Sequence, residues 1–361
     1  MTGRQRFLAA CRSERVDATP VWFMRQAGGR LPGYVALRER YSVMDIATTP
    51  ELCAQVSAGA AETLGTDGAV MYADIMLLAV ALGLEVELAS SGPIVGSVVR
   101  DDADVERLRT VDPVRDLGHV LTAIAMVRRR LDGRAAVIGL CGGPFTLGAY
   151  LVEGSPSRDQ VVARALIHRA PATWHGLMER LTVATIDYVR AQVAAGADAI
   201  AVFDTWAATL TEQEYRVAVL PYSARIVAAI EAAGAPSIHS VARSASLLGA
   251  IRDLAPTVVA VDSRQPIDVA MDRLGPAQAV QGNLDPARVL AGWEHAEAGA
   301  HDVLDRIAGR AGHVFNLGEA APRDADPGIL RDLAALVHET TSHTIAIDAT
   351  HRQHMEGPVH A

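Results

Sequence analysis

Eight times along the chain, a short apolar run ends in polar or glycine residues and a longer amphipathic stretch follows. This alternation constrains the fold more than any other feature of the 361 residues. Apolar runs of strand length separated by helical stretches form parallel sheets, because a parallel neighbour can only be reached through a crossover. The runs fall at residues 20–26, 69–75, 135–141, 197–205, 237–241, 258–262, 279–283 and 313–317. Each crossover is expected to be right-handed, and eight such units close on themselves. The expectation is therefore an α/β protein: a single (β/α)8 TIM barrel with a short N-terminal helical extension at residues 4–13.

The spacing predicts long helices over 164–195 and 286–307, where apolar residues recur at near-helical intervals. The barrel is expected to occupy residues 1–340. A tail over 341–361, with four histidines and little periodicity, is expected to be flexible. An open doubly wound sheet is the competing architecture. It calls for a glycine-rich phosphate turn after its first strand, and Gly28 and Gly29 are not part of a G-x-G-x-x-G pattern.

Composition narrows the function classes. Half of the residues are hydrophobic and 21% are charged, enough for a large core. A net charge of −9 disfavours nucleic acid and anionic membrane as partners. It does not exclude an anionic small molecule, which needs only a local cationic pocket. Cys11, Cys53 and Cys141 are far apart and form no CxxC pair, so neither a disulfide framework nor a zinc–thiolate site is suggested. The first residues are too polar for a signal peptide, and no apolar run reaches the roughly 20 residues a membrane span needs. A cytoplasmic protein is expected.

In a barrel of this kind, chemistry takes place at the C-terminal ends of the strands. The polar residues expected there are Arg25 and Gln26, Asp74, Tyr150 just beyond Gly142 and Gly143, Asp204 and Thr205, and His239. Asp262, Ser263 and Arg264 follow, then Gln281 and Asn283, and finally Asn316 and Glu319. Each has a plainer role available. Asp204, Thr205 and Asp285 suit helix caps, Asp262 suits a loop clasp or a partner for Arg264, and His239 suits a hydrogen-bonded core position. Arg25 is harder to place that way, because it follows the apolar Val21-Trp22-Phe23-Met24 and calls for an anionic partner. Asp74, after Val70-Met71-Tyr72-Ala73, poses the mirror question. For both, a buried salt bridge is the structural alternative.

Several blocks, in order, resemble one known family, the uroporphyrinogen decarboxylases. The segment Thr19-Pro-Val-Trp-Phe-Met-Arg-Gln-Ala-Gly28, with Leu31-Pro32 and Tyr34, resembles the family's P-V-W-x-M-R-Q-A-G-R-Y-L-P-E-Y. Tyr72-Ala-Asp-Ile75 resembles F-S-D-I, and Gly142-Gly-Pro-Phe-Thr-Leu147 with Tyr150 resembles G-x-P-W-T-L-x-x-Y. Phe203-Asp-Thr-Trp-Ala207 resembles F-D-S-W-A, and Gln281-Gly-Asn-Leu-Asp-Pro286 matches Q-G-N-L-D-P. The likeness runs from about Arg4 to His338.

The resemblance implies removal of acetate carboxyl groups from a tetrapyrrole, without metal or organic cofactor, by a homodimer. Loss of a carboxylate needs an electron sink, and a pyrrole protonated at ring carbon is one. By resemblance, Asp74 accepts hydrogen bonds from pyrrole N–H groups and stabilises positive charge on the ring. Arg25 pairs a substrate carboxylate and serves as or positions a proton donor. Tyr150 and Thr205 supply hydrogen bonds, and Gln26, Ala27 and Gly28 bring backbone groups close to the substrate.

Three positions depart from the family pattern. Gly29 stands where the family has arginine, with Arg30 one place later; Gly29, Arg30 and Glu319 are still expected to line the substrate site, Arg30 reaching it across the flexible Gly28-Gly29 or else pointing elsewhere. Gly33 replaces a glutamate. Glu319 replaces a histidine able to bind a carboxylate. An anion at 319 repels a carboxylate arm, which keeps open a diverged enzyme acting on another aromatic or pyrrolic acetate. A corrinoid-linked methyltransferase and a non-catalytic tetrapyrrole-binding protein are the remaining alternatives. The first lacks its cysteines here, and the second does not account for Arg25 alongside Asp74.

Overall fold

The computed structural model describes residues 1–89 and 92–355, with side chains to Ser342 apart from 90–91. Its centre is a curled parallel sheet of seven strands. These are β1 (Gly68–Val70), β4 (Ala136–Gly142), β5 (Ala199–Phe203), β6 (Ser237–Ser240), β7 (Val258–Ala260), β8 (Ala279–Gln281) and β9 (His313–Val314), hydrogen-bonded in that order. Between β1 and β4 the chain adds an antiparallel hairpin, β2 (Val86–Ala89) with β3 (Gly92–Val95), which the periodicity does not announce.

The segment expected as the first strand, 20–26, contributes only a bridge. Phe315 donates its N–H to Pro20 O at 2.8 Å and accepts from Trp22 N at 3.3 Å, while Asp67 N donates to Val21 O at 2.8 Å. Val21 thus spans the gap between β9 and β1 and completes the ring of eight. The strand is short for local reasons. Pro20 has no N–H to give, and the Val21 N–H goes to the Asp67 carboxylate at 2.8 Å. At Arg25 the backbone turns left-handed, with φ of +61°.

The barrel interior is filled by alternate residues along the strands, and every strand of the parallel sheet contributes. Trp22, Ile138, Leu140, Ile238, Val258 and Val314 pack with the alanines 136, 199, 201 and 279. The small residues make room for Trp22, which is fully buried and donates its indole N–H to Gln281 Oε1 at 2.8 Å. Gly68 serves the same packing, since a Cβ there would lie 2.7 Å from Ile138 and 3.1 Å from Trp22. Phe7, Ala10 and Cys11 of the N-terminal helix Gly3–Cys11 join this core and close one end of the barrel. The larger core lies between the strands and the surrounding helices.

Two long helices are interrupted where the sequence carries breakers. The stretch 164–195 lies in Val161–Arg169 and Pro171–Ala194, split at Ala170 because the following proline disfavours helical backbone there. The stretch 286–307 becomes Pro286–Ala291 and Trp293–Ile307, split at Gly292, whose φ is +109°. The last helix, Pro327–Met355, carries the chain past residue 341. The side chains of the expected tail beyond Ser342, and residues 356–361 altogether, lie outside the described residues. Among the described residues no helix is long and apolar enough to cross a membrane.

Candidate active site

The polar residues at the strand ends separate into those that hold loops and those that face the mouth. Gln281 is committed to Trp22. Asn283 donates to the carbonyls of Asp262 and Gln265, at 3.0 and 2.8 Å. Asn316 accepts from Met24 N and Leu317 N. Asp262 accepts from Ser244 N and from Arg264 N, so it is a loop clasp. Asp285 caps the helix Pro286–Ala291 through Ala287 N. His239 is a core residue: it is fully buried with Tyr215 Oη 3.4 Å from Nε2, and burial lowers its pKa to about 4, which keeps it neutral.

Asp204 belongs with these, in a role that joins two elements. It is fully buried, and its Oδ1 accepts from Thr146 N at 2.8 Å. Thr146 lies in the first turn of the helix Pro144–Glu153, whose own N-cap is Gly143 and has no side chain to offer. The aspartate therefore caps its neighbour's helix rather than its own. Gly143 permits this approach, since a Cβ there would lie 2.3 Å from that of Asp204. Thr146 Oγ1 in turn accepts from Trp206 N at 3.1 Å. One helical turn past Thr146 is Tyr150, whose ring lies 4.2 Å from that of Trp206. Burial pushes the Asp204 carboxyl up to about 6, against the bonds from Thr146 and Phe145.

Arg25, Asp74, Tyr150, Thr205, Arg264 and Glu319 are all partly or well exposed at the C-terminal end of the barrel. Asp74 follows β1, and its Oδ1 accepts from Met76 N at 2.8 Å. Burial raises its pKa, and the Met76 N–H and the positive charge of Arg25 oppose that rise. Burial also pushes the Tyr150 hydroxyl up to about 12, with the charge of Asp74 adding to the effect and Arg25 opposing it. The three residues named from sequence thus feel one another's charge. They combine a cation, an anion and a neutral hydroxyl in one place. Tyr72, two residues before Asp74, has its hydroxyl 3.0 Å from that of Tyr34. The two form an aromatic wall beside the carboxylate.

Arg25 is exposed and has no hydrogen bond or ion pair to a protein group among the described residues. The buried salt bridge considered for it is therefore absent. The residues after it split in role. Gln26 is buried, and its side chain is a clip: Oε1 accepts from Phe23 N at 2.9 Å and Nε2 donates to Gly68 O at 2.8 Å. Ala27 is buried beside it, and Gly28 N donates to Gln26 O at 3.0 Å. Gly29 has φ of +60°, and a Cβ there would lie 2.9 Å from Arg323 O. Arg30, expected among the substrate-binding residues, instead points outward, its guanidinium 3.9 Å from Asp324 with both side chains exposed, because the left-handed turn at Gly29 carries the chain away against Arg323. Thr205 is exposed at the end of β5.

Glu319 is ion-paired with Arg264. Sequence reasoning placed both at strand ends but did not join them. It also assigned no part to Trp206, Tyr34 or Tyr72. The signal for Trp206 is its position two residues past Asp204, in the loop after β5, the strand adjacent to the one leading to Tyr150.

The three cysteines are buried and free, and among the described residues no three metal-ligating side chains converge. Burial pushes the Cys11 and Cys53 thiols up to about 12, and that of Cys141 also upward, which suits packing rather than thiolate chemistry.

Residues 2–340 match the family described as uroporphyrinogen decarboxylase (URO-D). The chain belongs to the uroporphyrinogen decarboxylase family. A uroporphyrinogen decarboxylase from Roseiflexus sp. (strain RS-1) is 42% identical over 340 residues, covering 92% of this chain and 98% of that protein. Another, from Geobacillus kaustophilus (strain HTA426), is 41% identical over 338 residues, with 93% and 97% covered. Among solved structures, a methyltransferase from Methanosarcina mazei superposes with a TM-score of 0.76, covering 94% of this chain and 99% of that one. At 20% identity that likeness establishes the shared barrel fold and nothing about methyl transfer.

Proposed function

We propose that this protein decarboxylates the four acetate arms of uroporphyrinogen III to give coproporphyrinogen III, with residues 1–340 as the catalytic unit. The observation that carries the reading is the meeting of Arg25, Asp74 and Tyr150 at one mouth, in a chain of this family.

Each turnover replaces one carboxyl group by a proton. A pyrrole ring carbon takes up a proton, which makes the ring a cationic imine. The bond between the arm's methylene and its carboxylate breaks, CO2 leaves, and the electron pair passes into the ring. A proton delivered to the exocyclic methylene then forms the methyl group as the ring carbon returns its own.

Asp74 is the group suited to the cationic stage. Its carboxylate accepts ring N–H donors and lies where positive charge develops, in a partly desolvated site that strengthens the attraction. Arg25, with no partner among the described residues, is free to pair the reacting or a neighbouring carboxylate and to place the proton donor. Tyr150 stays protonated through the neutral range and can only donate or accept a hydrogen bond there. Gln26 and Ala27 act by fixing the turn that presents Arg25. Gly28 and Gly29 put no side chain over that turn, and Thr205, exposed beyond β5, offers a hydroxyl. Neither metal nor organic cofactor enters this scheme, so a chelator should leave turnover unchanged. We place the enzyme in the cytoplasm as a homodimer, which sedimentation of the purified protein would check.

The test is anaerobic incubation with uroporphyrinogen III and chromatography of the oxidised porphyrins. Successive seven-, six- and five-carboxyl intermediates ending at four carboxyl groups are expected. Folded protein giving no product would move the assignment to another aromatic or pyrrolic acetate.

A further inference from the structure

The mouth of the barrel carries a cation that is engaged by the protein itself. Arg264 follows β7 and Glu319 follows β9, two strands away, yet their side chains form an ion pair, and about half of the arginine side chain and 39% of the glutamate remain exposed. Both are held where they are by the loops beneath them. Arg264 N donates to Asp262 Oδ1 at 2.8 Å, and the guanidinium stays 3.7 Å from that oxygen. Gly318 is pressed against the Ser263 backbone so closely that a Cβ would lie 2.3 Å from Ser263 N. On its other side, the Glu319 loop is tied to the turn of Arg25: Ala321 N donates to Met24 O at 2.8 Å, and Met24 N donates to Asn316 Oδ1 at 3.2 Å. Arg264 and Glu319 therefore flank the same opening as Arg25. A cleft of about 310 Å³ beside Arg264 runs instead toward the helix Trp293–Ile307, past Arg288, Asp302 and Arg306, and none of Arg25, Asp74, Tyr150 and Glu319 lines it.

An exposed arginine–carboxylate pair contributes little stability, and one carboxylate can replace another on a guanidinium at small cost. We propose that Arg264 is a docking residue for a peripheral carboxylate of the substrate, and that Glu319 occupies it until the substrate's carboxylate takes its place. Glu319 then sets specificity by competition. Unbound, Arg264 is matched by Glu319, with Asp262 3.7 Å away, so this rim offers no net positive charge to a ligand. A polycarboxylate gains Arg264 only by displacing Glu319. The proposal rests on the tetrapyrrole reading and narrows it to one subsite.

The test uses uroporphyrin III, the oxidised and unreactive eight-carboxyl form, titrated into the full-length protein by fluorescence, with turnover measured in parallel. Glu319→Gln is expected to tighten binding roughly three- to tenfold, and to do so more for uroporphyrin than for the four-carboxyl coproporphyrin. Arg264→Gln is expected to weaken binding by a similar factor, Arg264→Lys less so. In the Arg264→Gln background, Glu319→Gln should have no further effect. Unchanged or weaker binding by Glu319→Gln, or tightening that persists without Arg264, would overturn the proposal, as would wild type that binds no uroporphyrin. Turnover without these binding effects would sink the subsite alone. Binding effects without turnover would uphold it and sink the decarboxylase reading.

Discussion

The ring of Tyr150 lies against that of Trp206, with centroids 4.2 Å apart and planes inclined by 35°. The contact joins the end of β4, through its following helix, to the end of β5. It fixes a hydroxyl that has no hydrogen-bond partner among the described residues. An aromatic pair of this kind is worth about 1 kcal/mol beyond its buried area, or about a fivefold factor if it is felt in the transition state. Trp206→Ala should lower kcat/KM about fivefold or more, and Trp206→Phe should recover most of the loss. Equal activity in Trp206→Ala would show that the stack does not position Tyr150.

Asp204 makes stability depend on pH. Its folded-state pKa, about 6, lies above the ordinary aspartate value, so between those two values the folded protein holds a proton that the unfolded chain has released. Stability from this group is therefore complete below about pH 4 and is lost as pH rises to about 6. The difference is on the order of 2–3 kcal/mol. Asp204→Asn keeps an acceptor for Thr146 N and removes the titration. Urea melts between pH 4.5 and 7 should show the variant losing less stability than wild type. Parallel curves would contradict the burial argument.

Arg25 occupies left-handed backbone, a conformation costly for any residue with a side chain and cheap for glycine. The strain lies at the residue assigned to the substrate carboxylate, which is where such strain is tolerated. Arg25→Gly should raise thermal stability slightly, by up to about 1 kcal/mol, while removing most activity. A destabilised variant would mean that the guanidinium holds the turn instead of serving the substrate.

The architecture was legible because barrel strands are short, apolar and regularly spaced. Seven of the eight runs contain a strand, and the eighth became a bridge because Pro20 and the Asp67 carboxylate take away its ladder donors. The helix over 164–195 breaks at Ala170, because the residue before a proline is disfavoured in helical backbone and the near-helical spacing of apolar residues does not register that. The hairpin of β2 and β3 is not announced because neither strand is a buried apolar run: Glu87, Gly92 and Pro93 interrupt them, and only Val95 is buried.

At the site, the positions of Arg25, Asp74 and Tyr150 were legible from motif and strand end. Their neighbours were not. That Gln26 is a buried clip, that Asp204 caps another strand's helix, and that Glu319 is answered by Arg264 are facts of side-chain direction between distant segments. Spacing along the chain does not contain them.

The central claim is that Asp74 organises decarboxylation at this mouth. It is tested most directly by following uroporphyrinogen III with wild type and Asp74→Asn side by side, across pH, after both are shown to have the same melting behaviour. The account predicts that wild type converts the substrate, with an acid limb above the ordinary aspartate value of about 4, because burial raises the Asp74 pKa. Asp74→Asn should fall by roughly 10²-fold or more, the scale of losing one preorganised electrostatic group. Turnover by Asp74→Asn close to wild type would contradict it.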